Sequence, residues 1–280
     1  MKVAVTGATG FIGGVVCRRL VSDGYEVLAM RVRAGERVAA FAGASAVVHL
    51  AGLAHRRDAD AAELERANVE LARALGEAGA ASGARMIFMS SIKVHGNECE
   101  QALRHSSPFA PQDEYGASKA AAEAALRAIA RLRLTVIRPP LVYGPGVRAN
   151  FLALLNAVAR GWPLPFASIA NRRSLLYVDN LADLVVRCLR EPASIGRAYV
   201  PCDGEPLSTP QLCRELAQNL RRPARLFRFP PRALELLPGA RRLTRSLYAD
   251  AGEVERELAW RAPTSRAQAL QATARWFASR

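Results

Sequence analysis

The chain has 280 residues, half of them apolar, and a formal charge of +14. It is long enough for one large α/β domain or a domain with a smaller lobe, but no apolar run approaches the roughly 20 residues of a membrane span. Five cysteines without CxxC pairing exclude a disulfide framework and point to a reduced, soluble, cytoplasmic protein.

Residues 3–6 form a short apolar strand, followed by Gly7-Ala-Thr-Gly10-Phe-Ile-Gly13 and a helical stretch to about Ser22. Glycines interrupt any hydrophobic region, so this is a strand and turn and not a signal peptide. Glycine at 7, 10 and 13 permits a tight turn and close approach of backbone to a pyrophosphate, whose charge then sits on the helix N-terminus.

A second strand, 25–30, ends in Met30-Arg31-Val32-Arg33, with no acid until Glu36. An NAD site places a carboxylate there for the ribose 2′-hydroxyl. Arginine instead pairs with a 2′-phosphate, so Arg31 and Arg33 favour NADP(H), with NAD(H) the alternative. Only 15 residues, 31–45, lie before the next strand, "AVVHL". One short crossover fits there and two do not, so the usual third strand is expected to be absent or vestigial.

Strands follow at 46–50, 86–89 and 134–137, separated by helical segments near 61–80 and 113–131. The alternation predicts a Rossmann-type, doubly wound parallel sheet covered by helices. After Pro139 prolines and glycines cluster and short helices dominate. The expected division is a dinucleotide-binding domain, 1–145, also receiving about 175–203, and a substrate lobe of 146–174 and 204–280. Segment 221–245 is rich in arginine and could touch an anionic membrane face. Its tandem prolines break the helix, and it is read as a solvated surface.

The basic excess invites a nucleic-acid partner. The arginines are scattered, however, and lysine, asparagine and isoleucine are scarce, as in a GC-rich genome. Neither a nucleic-acid partner nor membrane insertion is expected. His49, His55, His95 and His105 show no metal-ligand spacing, and no metal is expected.

Tyr115 and Lys119, one of only three lysines, stand four residues apart on one helix face. A tyrosine acting near neutral pH needs a neighbouring ammonium to favour its phenolate. Ser90 and Ser91 follow a strand at its C-terminal end, where ligands bind in open α/β sheets. One hydroxyl there would hold a substrate oxygen.

With these motifs the chain resembles the extended short-chain dehydrogenase/reductase family, the NAD(P)-dependent nucleotide-sugar epimerases, dehydratases and reductases, along nearly its whole length. The resemblance implies Ser91, Tyr115 and Lys119 as catalytic residues. It assigns Gly7, Gly10, Phe11, Ile12 and Gly13 to the pyrophosphate loop. Leu50, Ala51 and Gly52 of "HLAG" would pass under the cofactor, and Pro139 of "RPPLVYGPG" would lie beside the nicotinamide. Ser91, Ile92 and Lys93 would meet the sugar, Asn150 and Arg173 the nucleotide diphosphate, and Phe166 the base. Relatives often dimerise through the helices at 61–80 and 113–131, which implies a homodimer.

Ile92-Lys93 replace the Asp-Glu pair that a dehydratase of this family carries, arguing against 4,6-dehydration. "SSIKVHG" and "NRRSLLYVDNLADL" look most like bacterial 4-ketoreductases of surface-polysaccharide synthesis. These act on UDP-linked 4-keto-6-deoxy-N-acetylhexosamines. The resemblance therefore implies NADPH-dependent reduction of such a sugar. An NAD-dependent UDP-sugar 4-epimerase is the alternative, and a non-catalytic NADP-sensing or nucleic-acid-binding relative is a third reading that an intact Ser-Tyr-Lys set disfavours.

Overall fold

The computed structural model describes residues 1–32, 41, 43–53 and 60–280. In chain order the first half runs β1 (Lys2–Thr6), α1 (Phe11–Ser22), β2 (Glu26–Met30), β3 (Ala46–His49), α2 (Ala61–Leu64), a π-helical turn (Glu65–Glu70), α3 (Leu71–Ser82) and β4 (Arg85–Met89). The 3-10 turn Ile92–His95 leads to α4 (Glu114–Arg127), β5 (Arg133–Ile137), β6 (Leu141–Tyr143) and α5 (Ala149–Ala159). Then come β7 (Leu175–Tyr177), α6 (Val178–Arg190), β8 (Ala198–Tyr199), α7 (Thr209–Asn219), α8 (Pro231–Leu234), α9 (Arg241–Thr244), α10 (Gly252–Leu258) and α11 (Arg266–Ala278).

Six strands form one sheet in the order β2-β1-β3-β4-β5-β8, and every pair in it is parallel. The period of two along each strand sends alternate residues to opposite faces. Val3, Val5, Val48, Ile87 and Ile137 join α1 and α6 in one core. Ala4, Val47, Met86, Phe88 and Val136 join α3 and α4 in the other. Helices therefore cover both faces, and the sheet is a Rossmann-type doubly wound one.

Among the described residues no strand pairs outside β2, which is the sheet edge. Of the segment 175–203, expected with the dinucleotide-binding domain, α6 packs on the sheet face and β8 enters the sheet. Only Ala198–Tyr199 pairs with the sheet, through β5. Leu175–Tyr177 pairs instead with β6, in a separate two-stranded sheet. Pro139 and Pro140 have no N–H to donate to a neighbouring strand, so beyond the Pro139 carbonyl, which still accepts the Ile92 N–H, the chain leaves the sheet before Leu141.

The C-terminal segments share the first core, since Leu207, Leu216, Trp260 and Leu270 pack into the cluster that holds Val3 and Val5. Isolated bridges of Arg173 to Leu207 and Leu247 stitch the later segments to the turn before β7. The lobe and the sheet thus have no apolar gap between them.

Candidate active site

The glycine loop is tight enough to define what it can hold. A Cβ on Gly13 would stand 2.0 Å from the Gly7 carbonyl oxygen, and one on Gly7 would stand 2.7 Å from the Ala51 nitrogen. Gly7 has φ +70°, a conformation glycine adopts without strain. No side chain caps α1, whose N-cap is Gly10. Its first N–H groups and the positive end of its dipole are left for an anion. A bare cradle at a helix N-terminus, closed by Ala51 and with Phe11 packed against Gly146, fits a dinucleotide pyrophosphate.

Beneath that loop, the Thr6 hydroxyl accepts the Ala51 N–H at 3.2 Å and lies 2.7 Å from His49 Nδ1. Burial, with the Lys119 charge adding to it, pushes the His49 pKa down to about 3. His49 is therefore a neutral packing residue stacked on Phe88.

Ser91 caps the 3-10 turn, its hydroxyl accepting the Lys93 N–H at 3.3 Å. The β4–β5 ladder continues past the strands, with Ser90 N–H donating to Ile137 at 2.8 Å and Ile92 N–H to the Pro139 carbonyl at 3.0 Å. These bonds hold Ser91 at the C-terminal edge of the sheet. Asp113 caps α4 through Gly116 N–H at 2.8 Å. Gly116 is needed because a Cβ there would meet the Lys93 carbonyl oxygen at 2.7 Å. That close approach brings Tyr115, in the first turn of α4, beside the Ser91 hydroxyl, whose influence lowers the phenol's pKa.

Burial pushes the Tyr115 hydroxyl up to about 12, with Ser91 opposing and the Asp113 charge assisting. Lys119 is buried, and burial lowers its ammonium to about 8 against the opposing pull of Glu123. Its Nζ donates to the Met89 carbonyl at 2.9 Å and lies 4.8 Å from the Phe88 ring centroid. The spacing predicts that Lys119 depresses the tyrosine. In the structure the ammonium is instead anchored on β4, facing Gly52, whose added Cβ would meet Nζ at 3.4 Å. The cation beside the tyrosine ring is Lys93, 5.9 Å from its centroid and ion-paired with Asp113.

Several residues of this site escape a reading by motif. Asn68, in the π-helical turn, is buried. Its amide donates to Ser118 Oγ at 2.9 Å and to the Leu53 carbonyl at 3.1 Å, and accepts the Leu53 N–H at 2.8 Å. Ser118 Oγ in turn donates to the Tyr115 carbonyl at 2.9 Å. Asn68 thereby ties the segment after β3, at Leu53, to the tyrosine's helix. The available signal was a lone amide on an otherwise apolar helical stripe. Glu123, fully buried, accepts from Ser90 Oγ at 2.6 Å and from Arg138 Nε and Nη2 at 2.8 and 2.6 Å. Its position, four residues beyond Lys119, was the sequence cue.

The residues assigned to substrate divide. Ile92 is buried, and Lys93 faces the tyrosine. Asn150 is exposed in the first turn of α5. Phe166 is 8% exposed and packed in the core with Leu164 and Ile169, so its ring is engaged by apolar neighbours. Arg173 is half-buried, with burial lowering its guanidinium to about 10. Its Nη1 donates to the Arg245 carbonyl at 3.4 Å. Neither Asn150 nor Phe166 hydrogen-bonds the Ser91–Tyr115 pair among the described residues. Arg31 is exposed at the end of β2, and Arg33 lies outside the described residues. Among the described residues there is no cluster of metal-ligand side chains and no helix long and apolar enough to cross a membrane.

A glycine cradle at the switch point of a parallel sheet, beside a hydroxyl–phenol pair and a buried lysine, defines a dinucleotide-dependent oxidoreductase site. The chain belongs to the NAD dependent epimerase/dehydratase family, whose model matches residues 3–200. It is 32% identical over 320 residues to UDP-glucose 4-epimerase of Vibrio cholerae, covering 99% of this chain and 95% of that one. It is 28% identical over 193 residues to UDP-2-acetamido-2,6-beta-L-arabino-hexul-4-ose reductase of Pseudomonas aeruginosa, covering 65% of this chain and 47% of that one. The structure of RMD from Pseudomonas aeruginosa complexed with NADPH shares the fold, with TM-score 0.82, 22% identity and coverage of 100% of this chain and 99% of that one. The protein is an NAD(P)-dependent enzyme of the oxidoreductase type.

Proposed function

We propose that this enzyme reduces the 4-keto group of a UDP-linked 4-keto-6-deoxy-N-acetylhexosamine, with NADPH as the preferred cofactor. The nicotinamide supplies the hydride when bound. Ser91 holds the carbonyl oxygen, and Tyr115 delivers a proton to the alkoxide as it forms. The observation that carries this reading is the setting of the Tyr115 phenol beside Ser91 by the capped start of α4 against the 3-10 turn, where burial pushes its pKa up to about 12. A phenol that keeps its proton throughout the neutral range suits proton donation in the reducing direction.

Ile92 and Lys93 stand where a dehydratase of the family carries its Asp-Glu pair, and Lys93 is ion-paired with Asp113 next to the tyrosine ring. This favours reduction over dehydration. Arg31, exposed at the end of the edge strand, is available to the 2′-phosphate of NADPH. A charge-assisted pair of this kind is worth about 1.5–3 kcal/mol, or roughly ten- to a hundredfold in affinity over NADH.

The second reading, UDP-sugar 4-epimerisation with retained NAD, is favoured by the full-length likeness to the Vibrio cholerae enzyme. It needs the same three residues, with Tyr115 acting as base in the first half-reaction. Separate incubations with UDP-4-keto-6-deoxy-HexNAc and with UDP-GlcNAc distinguish them. The reductase consumes one NADPH per sugar reduced and leaves UDP-GlcNAc unchanged. Conversion of UDP-GlcNAc to UDP-GalNAc without added cofactor would replace the first reading by the second.

A further inference from the structure

Residues 221–245 carry eight arginines and a single acid, Glu235. All eight arginines are exposed. Arg245 pairs with Glu235 and Glu98, and the other seven have no ion pair among the described residues. The same segment holds four of the nine exposed large apolar side chains among the described residues, Phe227, Phe229, Leu236 and Leu237. A fifth, Trp162, lies against Pro223 to Leu226, with the Arg160 guanidinium 5.4 Å from its ring centroid.

The local chemistry explains why these side chains point outward. Pro231 starts the one-turn helix α8, and buried Leu234 anchors it. Pro238 and Gly239, the latter at φ +79°, then force a reversal. The Leu236-Leu237 pair projects at its apex, and Leu236, 84% exposed, is the most exposed large apolar residue described. Bridges of Leu164 to Leu226, and of Ala167 N–H to Phe227 at 3.1 Å, hold the start of the segment to the lobe.

Charge selects the occupant. A second copy docked face to face would oppose the same unpaired arginines across the two-fold axis. A polyanionic nucleic acid would satisfy the arginines but leaves two leucines with no base to stack on, since stacking needs an aromatic face. The headgroup region of an anionic bilayer supplies both partners. Its phosphates meet guanidinium groups while leucine and aromatic side chains enter the acyl boundary.

We infer that residues 221–245, with Trp162, dock this protein peripherally on an anionic phospholipid surface. Pro231, Thr244 and Arg245 also border an open cavity of about 840 Å³ lined by Asn171, Arg172 and Tyr248. Docking therefore places the mouth of that cavity beside the bilayer. The surface expected to be solvated is on this inference lipid-facing, because the reversal at Pro238-Gly239 projects the leucines outward.

The test is cosedimentation with phosphatidylcholine vesicles, with and without roughly 30 mol % phosphatidylglycerol, at low and high salt. The wild-type chain should pellet only with the anionic vesicles, and less so as salt rises. Leu236→Ser/Leu237→Ser should weaken the partition about tenfold, and Arg241→Gln/Arg242→Gln should weaken it as well. Both variants should keep the wild-type circular dichroism spectrum and unfolding midpoint, since the changed side chains are exposed. No binding to anionic vesicles would overturn the inference. So would binding that the leucine changes leave untouched and that single-stranded RNA displaces, which would mark a general polyanion surface.

Discussion

At the scale of single residues, the proposed reaction assigns proton delivery to Tyr115, whose pKa burial pushes up to about 12. Tyr115→Phe removes one hydroxyl and little volume. Turnover should fall about 10²–10⁴-fold, while fluorescence titration of NADPH gives a nearly unchanged dissociation constant. Wild-type rates in this variant would place the acid elsewhere. Lys119 makes a separate prediction. Its ammonium titrates at about 8, so its charge is lost as pH rises through that value, and kcat/KM should decline there. The sign is opposite for stability. The folded pKa lies below the ordinary 10.5, so the unfolded chain binds more protons between about 8 and 10.5, and this residue's contribution to stability rises with pH. Lys119→Met should remove the limb near pH 8 from both profiles, as measured by steady-state kinetics and chemical denaturation.

At the scale of elements, the site depends on how α4 is fixed to the ends of β4 and β5. Glu123 and Arg138 form a bidentate pair with side chains 0% and 3% exposed, and Ser90 donates to the same carboxylate. Glu123→Ala leaves a buried guanidinium uncompensated and should destabilise the fold by about 3–5 kcal/mol, whereas replacing both partners by leucine should recover most of the loss. Urea denaturation of the two variants checks this. A small loss in the single variant would mean that water compensates Arg138.

The same elements define what was legible in the sequence. β1, the glycine loop and α1 could be read because apolar alternation and three glycines leave few other structures. Tyr115 and Lys119 could be read because they share one helix face. Their mutual geometry could not, since the Met89 carbonyl that anchors Lys119 comes from another strand. Phe166 was assigned by loop position, and only tertiary packing reveals that its ring is committed to the core. Asn68 and Glu123 were hidden for a related reason. A polar side chain on a buried stripe looks like an irregularity until its partners, Leu53 and Arg138, are brought alongside.

At the scale of the whole molecule, the strand order places the glycine loop after β1 and Ser91 after β4, separated by β3, with α4 closing over the second. One switch point thus gathers the glycine cradle, Tyr115 and the buried Lys119 at the C-terminal edge of the sheet. The apolar cluster that runs from Val3 to Leu270 packs the C-terminal segments and the sheet into one close-packed body. On the proposed reaction, this arrangement would let a hydride reach the carbon and a proton the oxygen of one carbonyl.

Tracing the hydride tests this account most directly. NADPH carrying deuterium at the transferable C4 position is incubated with UDP-4-keto-6-deoxy-HexNAc, and the product is examined by NMR. The account predicts one deuterium at C4 of the sugar, in a single configuration, with stoichiometric oxidation of the cofactor. A product without label, or label scrambled between both C4 configurations, would contradict it.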